Sequence, residues 1–335
     1  MRFLFVMDPM DRVLPDKDTT FAFQRAALSR GHVSLHAEPG DVYVQDGDVF
    51  ARVREVTVSN NASTREGGVP QENTPHFRMS PFFDVRLAEV EAVFIRKDPP
   101  FDAAYLYLTQ MLERARGRTV IMNDPRGLRD ANEKLYALHF SNYMPRTLVT
   151  SSPDRIHAYV RSIGGKGVIK PLHGAGGAGV LMLEGSDKNA RSIVDMLTQE
   201  GKTLAMVQEF LPAVVKGDKR VLLLDGEVLG AINRVPRADD IRSNIHVGGS
   251  VEACEVTKEE RELIAAIAPR LRADGLIFVG LDLIGGKLTE VNVTSPTGIQ
   301  ELSRHVGRDV AEDVIAWTER HAHDLRPRLL SHPGV

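Results

Sequence analysis

The sequence has little of what would tie a chain to a disulfide framework, a membrane or a nucleic acid. Its 335 residues include one cysteine, Cys254, which excludes an internal disulfide, and nothing around that residue has metal-ligand spacing. A reducing cytoplasm suits such a chain. Neither sign of charge dominates, because 45 acidic against 42 basic residues leave a net charge of −3. No global field therefore draws the protein to nucleic acid or anionic lipid, and an anionic ligand has to be held by local Lys, Arg and backbone amides. Long apolar runs are missing too. The first, residues 3–7, stops at Asp8-Pro9, too short for a signal-peptide core, and no later stretch approaches the ~18 residues of a membrane span. What remains is an ordinary globular composition, 42% apolar and 26% charged. A chain of this length buries roughly three quarters of its unfolded surface and is expected to form two domains or one large α/β unit.

Residues 2–7 read as a buried strand and 20–29 as a helix closed by Gly31. A strand at 32–37 follows, and strands at 42–44 and 49–53 flank Gln45-Asp46-Gly47-Asp48, whose Asp-Gly pair predicts a hairpin. Further strands at 92–95 and 120–122 bracket a helix over 102–116, an α/β layer of nucleotide-fold type. Residues 59–81, rich in Asn, Ser, Gly and Pro, are expected to be a surface excursion without chemistry. Beyond Asn123-Asp124-Pro125 the pattern changes to short strands and glycine turns at 167–170, 180–183, 205–208, 220–224 and 227–232, with helices at 190–198 and 258–272. An antiparallel sheet with flanking helices, an α+β layout, is expected there.

The run Gly174-Ala175-Gly176-Gly177-Ala178-Gly179 satisfies G-x-G-x-x-G and follows a strand. A dinucleotide fingerprint needs a helix straight after the glycines, and Val180-Leu181-Met182-Leu183 reads as a strand instead. The run therefore reads as a hairpin loop whose amides can close over phosphates, with Lys170 at the end of the first strand as a point charge and Lys134 as a second candidate. A glycine-rich surface turn without a ligand has the same composition.

Residues 275–298 carry the strongest signal. An apolar strand there holds Asp282, and the next holds Glu290 and Asn292, which share a face because they are two apart. Oxygen donors in that arrangement suit Mg²⁺ that takes its other ligands from nucleotide phosphates. Asp282 joins them only if turn parity allows. A two-residue Gly285-Gly286 turn would pair Asp282 with Thr289, so a three-residue loop at Gly285-Gly286-Lys287, or an equivalent bulge, is expected to pair Asp282 with Glu290. Two solvated acids on a strand pair are the plain alternative.

With these motifs on the page, the sequence resembles the ATP-grasp ligases, and among them the bacterial glutathione synthetases. The likeness is carried by VMDP at 6–9, IRKDPPFD at 95–102, residues 123–135, KPLHGAGGAGV at 170–180, QEFLP at 208–212, GDKRVLLLDGE at 217–227 and residues 275–298. It spans nearly the whole chain except 59–81. It implies a pre-ATP-grasp substrate domain of nucleotide-fold type at 1–123, an ATP-grasp lid subdomain at 124–211 and a catalytic subdomain at 212–325, the latter two α+β with antiparallel sheets. The implied activity is ligation of γ-glutamylcysteine and glycine with ATP through an acyl phosphate, releasing ADP and phosphate, by a cytoplasmic homotetramer or dimer. Another carboxylate–amine ligase of the same fold, or a non-catalytic ATP-binding regulator, are the alternatives. Retention of Glu290, Asn292, Arg220 and Arg234 speaks against the regulator.

Carried over position by position, the resemblance puts Lys134 and Lys170 on ATP phosphates, with Gly174, Gly176, Gly177 and Gly179 above them. It makes Gln208, Glu209, Phe210 and Leu211 the adenine hinge and sets Asp218 near the ribose. Asp282, Glu290 and Asn292 become ligands of two Mg²⁺ ions, or Mn²⁺ in their place. Arg220 and Arg234 would stabilise the acyl phosphate, since a guanidinium pairs two phosphate oxygens at once. Arg96 would reach a peptide carboxylate, or else cap a surface strand. Ser295, Thr297 and Gly298 would hold a substrate carboxylate at a helix start, or simply cap the helix. Residues 235–250, ending in Gly248 and Gly249, would cover the acyl phosphate, or form an ordinary crossover. His173 and Ser250 depart from the family pattern and receive no role.

Overall fold

The computed structural model describes residues 1–59, 76–174, 176–236 and 250–331, with side chains to residue 325. The first layer is built in chain order from β1 (Arg2–Met7), α1 (Thr19–Ser29), β2 (Val33–Ala37), β3 (Val42–Gln45), β4 (Asp48–Val58), β5 (Phe77–Met79), β6 (Phe83–Arg86), β7 (Ala92–Arg96), α2 (Ala103–Glu113) and β8 (Val120–Met122). β1 runs parallel between β2 and β7, and β7 is parallel to β8. These strands are apolar on both faces because helices cover both. Leu4, Val6 and Ile95 face Leu108 and Leu112 of α2, while Phe3, Phe5 and Phe94 face Phe21 and Phe23 of α1.

The Asp-Gly hairpin is present, with Asp46 and Gly47 at φ of 51° and 89° between the paired Gln45 and Asp48. The excursion expected at 59–81 is narrower than its composition suggests. Residues 60–75 lie outside the described residues, but Phe77–Met79 pair antiparallel with Val56–Val58. A polar, proline-bearing context hid a three-residue strand whose partner, the long β4, supplies its hydrogen bonds.

After α3 (Pro125–Asp130) and a 3-10 turn over Tyr136–Tyr143 comes a second sheet of β9 (Thr147–Thr150), β10 (Lys166–Pro171), β11 (Leu181–Glu184) and β12 (Ala205–Glu209). It is antiparallel in the order β11-β10-β12-β9 and is covered by α4 (Pro153–Ser162) and α5 (Ala190–Thr198). Ile156, Val160, Ile169, Leu183, Val194 and Val207 give this unit a core of its own.

The third sheet holds β13 (Asp218–Leu224), β14 (Glu227–Val235), β15 (Ser250–Ala253), β16 (Phe278–Ile284) and β17 (Lys287–Asn292) in the order β15-β14-β13-β16-β17. α6 (Lys258–Ala273) starts with a reciprocal cap between Thr257 and Glu260 and packs Leu263, Ile267 and Leu271 on the sheet. α7 (Ile299–Val306) follows β17, and α8 (Ala311–Ser331) then returns to the first layer and lies along α1.

The first and third layers share continuous cores. Asn123 stitches them: its Nδ2 donates to the carbonyls of Phe278 and Val293, both at 2.8 Å, and its Oδ1 accepts from Ile277 N and Phe278 N at 2.7 and 2.8 Å. The connecting segment also packs on the third sheet, with Tyr136 donating to Asp274 at 2.7 Å and Val291 N donating to the Glu133 carbonyl at 3.0 Å.

Candidate active site

The β16–β17 hairpin sets the register of the site. Its turn has two residues, not the three expected: Gly285 and Gly286 take φ of 57° and 76°, a conformation that favours glycine, and Ile284 pairs with Lys287. Parity is restored by the alternative, a bulge. Thr289 is the extra residue, its hydroxyl donates to the Asp282 carbonyl at 3.1 Å, and Asp282 pairs with Glu290. The two carboxylates therefore share a face, with Asn292 on the same side two residues further along. Asn292 Nδ2 donates to the Gly280 carbonyl at 3.2 Å.

The neighbouring strands add cations to that face. Arg220 pairs in register with Asp282, and Asp218 with Arg234. Arg220 grips Asp282 with two nitrogens, Nε to Oδ1 at 2.5 Å and Nη2 to Oδ2 at 2.9 Å. Arg234 Nη2 lies 3.0 Å from Asp282 Oδ2 and donates to Asp218 Oδ2 at 2.5 Å. Burial alone would raise the Asp282 carboxyl, but the two guanidiniums outweigh it and hold that group well below the usual range. At Asp218 burial wins over Arg234 and the carboxyl is raised. The solvated-acid alternative fails for Asp282, which is 4% exposed.

Glu290 faces different company. Lys134 Nζ lies 3.3 Å and Lys170 Nζ 3.8 Å from its Oε1. Lys170 also donates to the Thr289 carbonyl at 3.3 Å, and Lys134 to the Gly174 carbonyl at 3.3 Å, which ties the glycine loop to the third sheet. Both lysines are buried, and burial lowers the Lys170 ammonium pKa. The loop joins two antiparallel strands with no helix after it, so the dinucleotide fingerprint is excluded.

A cleft of about 1100 Å³ separates the second and third sheets. Lys134, Lys170, Gly174, Gly176, Gly177, Asp218, Arg220, Asp282, Glu290 and Asn292 line it, and Gln208, Glu209, Phe210 and Leu211 form its far wall. Gln208 Nε2 donates to Thr147 Oγ1 at 3.2 Å, and Lys166 Nζ stands 4.8 Å above the Phe210 ring. Gly179 is not part of the lining. At φ 73° it closes the loop against Pro171, whose Cγ lies 3.0 Å from where a Cβ would be. Asp218 lines this cleft among Arg234, Asp282 and Arg220.

A second cleft of about 1420 Å³ runs between the first and third layers. Arg96, Arg234, Ser295, Thr297 and Gly298 line it. Arg96 is buried instead of capping a surface strand: it donates to Thr20 Oγ1 at 3.1 Å and to the Pro296 carbonyl at 3.0 Å, between the rings of Phe23 and Phe278. Gly298 caps α7 at φ 113°. The two clefts share Glu133, Gly176, Arg220 and Asn292. Gly248 and Gly249 lie outside the described residues.

Sequence reasoning passed over Arg12, Lys17, Asp18, Asp98, Glu133 and Glu301, all of which line the second cleft. Glu133 is half-buried beside Thr294, whose hydroxyl donates to it at 2.9 Å; desolvation and then Glu290 raise its carboxyl. Its place next to Lys134 was the one available signal.

The donor chemistry fits Mg²⁺. Asp282, Glu290 and Asn292 offer hard oxygens on one strand face, and the Glu290 side chain is the most open of the two carboxylates, at 23%. Among the described residues no three His, Cys, Asp or Glu side chains form a metal cage by themselves.

Comparison with known proteins bears on the same regions. The family model described as prokaryotic glutathione synthetase, N-terminal domain, matches residues 1–129, and that for its ATP-grasp domain matches 133–307. A protein named glutathione synthetase from Synechocystis sp. is 43% identical over 96% of this chain and 99% of its own. One of the same name from Synechococcus elongatus is 44% identical over 95% and 98%. Among solved structures, D-cycloserine synthetase DcsG covers 96% of this chain and 99% of its own at 15% identity and a TM-score of 0.65. The ATP-grasp ligase PsnB, in a complex with a minimal precursor, Mg and ADP, covers 96% and 98% at 15% identity and a TM-score of 0.61.

Proposed function

The chain belongs to the prokaryotic glutathione synthetase family and is an ATP-dependent C–N ligase, and from that premise we propose how its side chains divide the joining of γ-glutamylcysteine to glycine. A carboxylate is a poor acylating agent. Transfer of the ATP γ-phosphoryl group to the cysteinyl carboxylate gives an acyl phosphate and ADP. The glycine amine then attacks the carbonyl carbon, phosphate leaves with the bonding pair, and the amine proton is lost to form the amide.

ATP occupies the cleft between the second and third sheets, with its purine against residues 208–211 and its phosphates toward Lys134 and Lys170. The lysines exchange Glu290 for phosphate oxygens, and amides of the glycine loop close over the chain. Glu290, Asn292 and Asp282 would hold Mg²⁺, or Mn²⁺ in its place, which would supply charge neutralisation at the transferring phosphoryl group. Arg220 and Arg234 hold the acyl phosphate oxygens, while Asp282 keeps both guanidiniums oriented. Asp218 positions Arg234 and borders the nucleotide. Arg96 and the Ser295, Thr297 and Gly298 segment hold substrate carboxylates in the second cleft. Catalysis is positioning plus electrostatics, so no nucleophilic Ser or Cys is needed. A reducing cytoplasm keeps the substrate thiol free, and a homo-oligomer is the assembly this reading expects.

The observation that carries the proposal is the meeting of the two clefts at Arg220 and Asn292, beside Glu290. The test is an assay of the purified protein with ATP, Mg²⁺, γ-glutamylcysteine and glycine, reading phosphate release and product mass. Phosphate released only with both substrates, together with a product of glutathione mass, is expected. Turnover unaffected by removal of divalent cations would sink the arrangement.

A further inference from the structure

Glu301 stands in the first turn of α7 and is 5% exposed, yet it lines the second cleft and its Oε2 has no hydrogen-bond partner. Its Oε1 has Arg304 at 3.4 Å. A buried carboxylate oxygen left in that condition is costly unless a ligand supplies the missing donor. The side chain's setting is rigid, because Gln300 Nε2 donates to the carbonyls of Pro15 and Asp18 at 2.9 and 2.6 Å and Arg304 Nη1 to that of Asp16 at 2.8 Å. α7 is thus fixed to the segment bearing Lys17 and Asp18. Glu301 lines the second cleft but not the one that holds Lys134, Lys170 and Glu290. It belongs to the wall that α7 forms with the segment bearing Lys17.

On the reading above, γ-glutamylcysteine reacts through its cysteinyl carboxylate beside Arg220 and Arg234, so its γ-glutamyl head points along the cleft toward that wall. The head carries the dipeptide's one cationic group, the α-ammonium, and a free α-carboxylate. We propose that Glu301 Oε2 receives the α-ammonium of the γ-glutamyl head while Lys17 and Arg12 face its α-carboxylate, so that Glu301 selects acceptors by their free amino-acid end. The inference rests on the glutathione-forming reading and deepens it with a specificity residue.

The test compares γ-glutamylcysteine with N-glutarylcysteine, which lacks only the amino group, in full-length wild type, Glu301→Gln and Glu301→Asp, with ATP, Mg²⁺ and glycine. Wild type is expected to favour γ-glutamylcysteine in kcat/KM by about 10–100-fold, the range for a charge-assisted hydrogen bond. Glu301→Gln should bring the ratio to within about threefold of unity by raising KM for γ-glutamylcysteine, with KM for glycine unchanged and part of the preference kept by Glu301→Asp. A residue that merely buttressed α7 would lower both acceptors alike and leave the ratio standing, which overturns the proposal. So does a rise confined to the glycine KM, or a wild type that uses both acceptors equally, a result that needs no variant to fold. If wild type joins glycine to neither acceptor, it is the glutathione-forming reading that fails.

Discussion

Two lysines face the single carboxylate of Glu290, the group we propose as a metal ligand. Replacing Glu290 with Gln removes the anion but keeps the shape, so the fold is expected to survive. Turnover at saturating ATP should fall by about 100-fold or more, as expected for losing several kcal/mol of charge stabilisation. Steady-state kinetics set against a thermal melt check this, and near-normal turnover would remove Glu290 from the reaction. Asp282, Glu290, Asn292 and Lys170 were legible in the sequence because they lie on strands or beside a glycine run, where parity and spacing constrain direction, whereas Arg220 was reached only through the family resemblance. Glu133, Asp18 and Glu301 were not. Each reaches its cleft only through tertiary packing; locally Asp18 and Glu301 read as ordinary acids at a helix start and Glu133 as one in a turn.

The elements repeat that division. The β16–β17 hairpin was readable as far as its parity, but not the means of achieving it, since a two-residue turn plus a bulge and a three-residue loop satisfy the same alternation. The start of α7 after Gly298 was read, but α8 went unread because its apolar face is set by what it covers. At α8, Arg30 and His32 of the first layer bind Glu319, which Arg30 above all holds down to about 2 against an ordinary carboxyl value of 4.5. A depressed acid adds stability that is present above its ordinary value and is lost as pH falls through the folded one. The gap in urea midpoint between wild type and Glu319→Gln should therefore persist above pH 4.5 and close toward pH 2. Because the pair is partly exposed, the gap should correspond to roughly 1 kcal/mol or less. A gap that persists unchanged to the acid end would show that Glu319 acts by packing alone.

For the whole molecule, the separate core of the second sheet matters most. Asn123 and shared apolar clusters join the first and third layers, whereas the second sheet, within residues 147–209, has a core of its own and meets the third sheet through Lys170. Nucleotide should slow hydrogen exchange in 147–209 well beyond its effect on β1 and β7. Uniform slowing throughout would mean that the second sheet is not a separately mobile unit. The broad α/β-then-α+β division was visible in the sequence, since it follows local periodicity. The return of α8 to α1 was not, because it joins segments nearly three hundred residues apart, as in the ion pair of Arg30 and Glu319. That return ties an earlier-made segment to one made nearly three hundred residues later. Phe21 and Phe23 emerge from the ribosome long before Ile315 and Trp317, which complete the same apolar cluster. The layer around α1 must wait, one greasy flank open to water, until α8 is translated, and so a nascent chain stalled before residue 311 is a form in need of a chaperone.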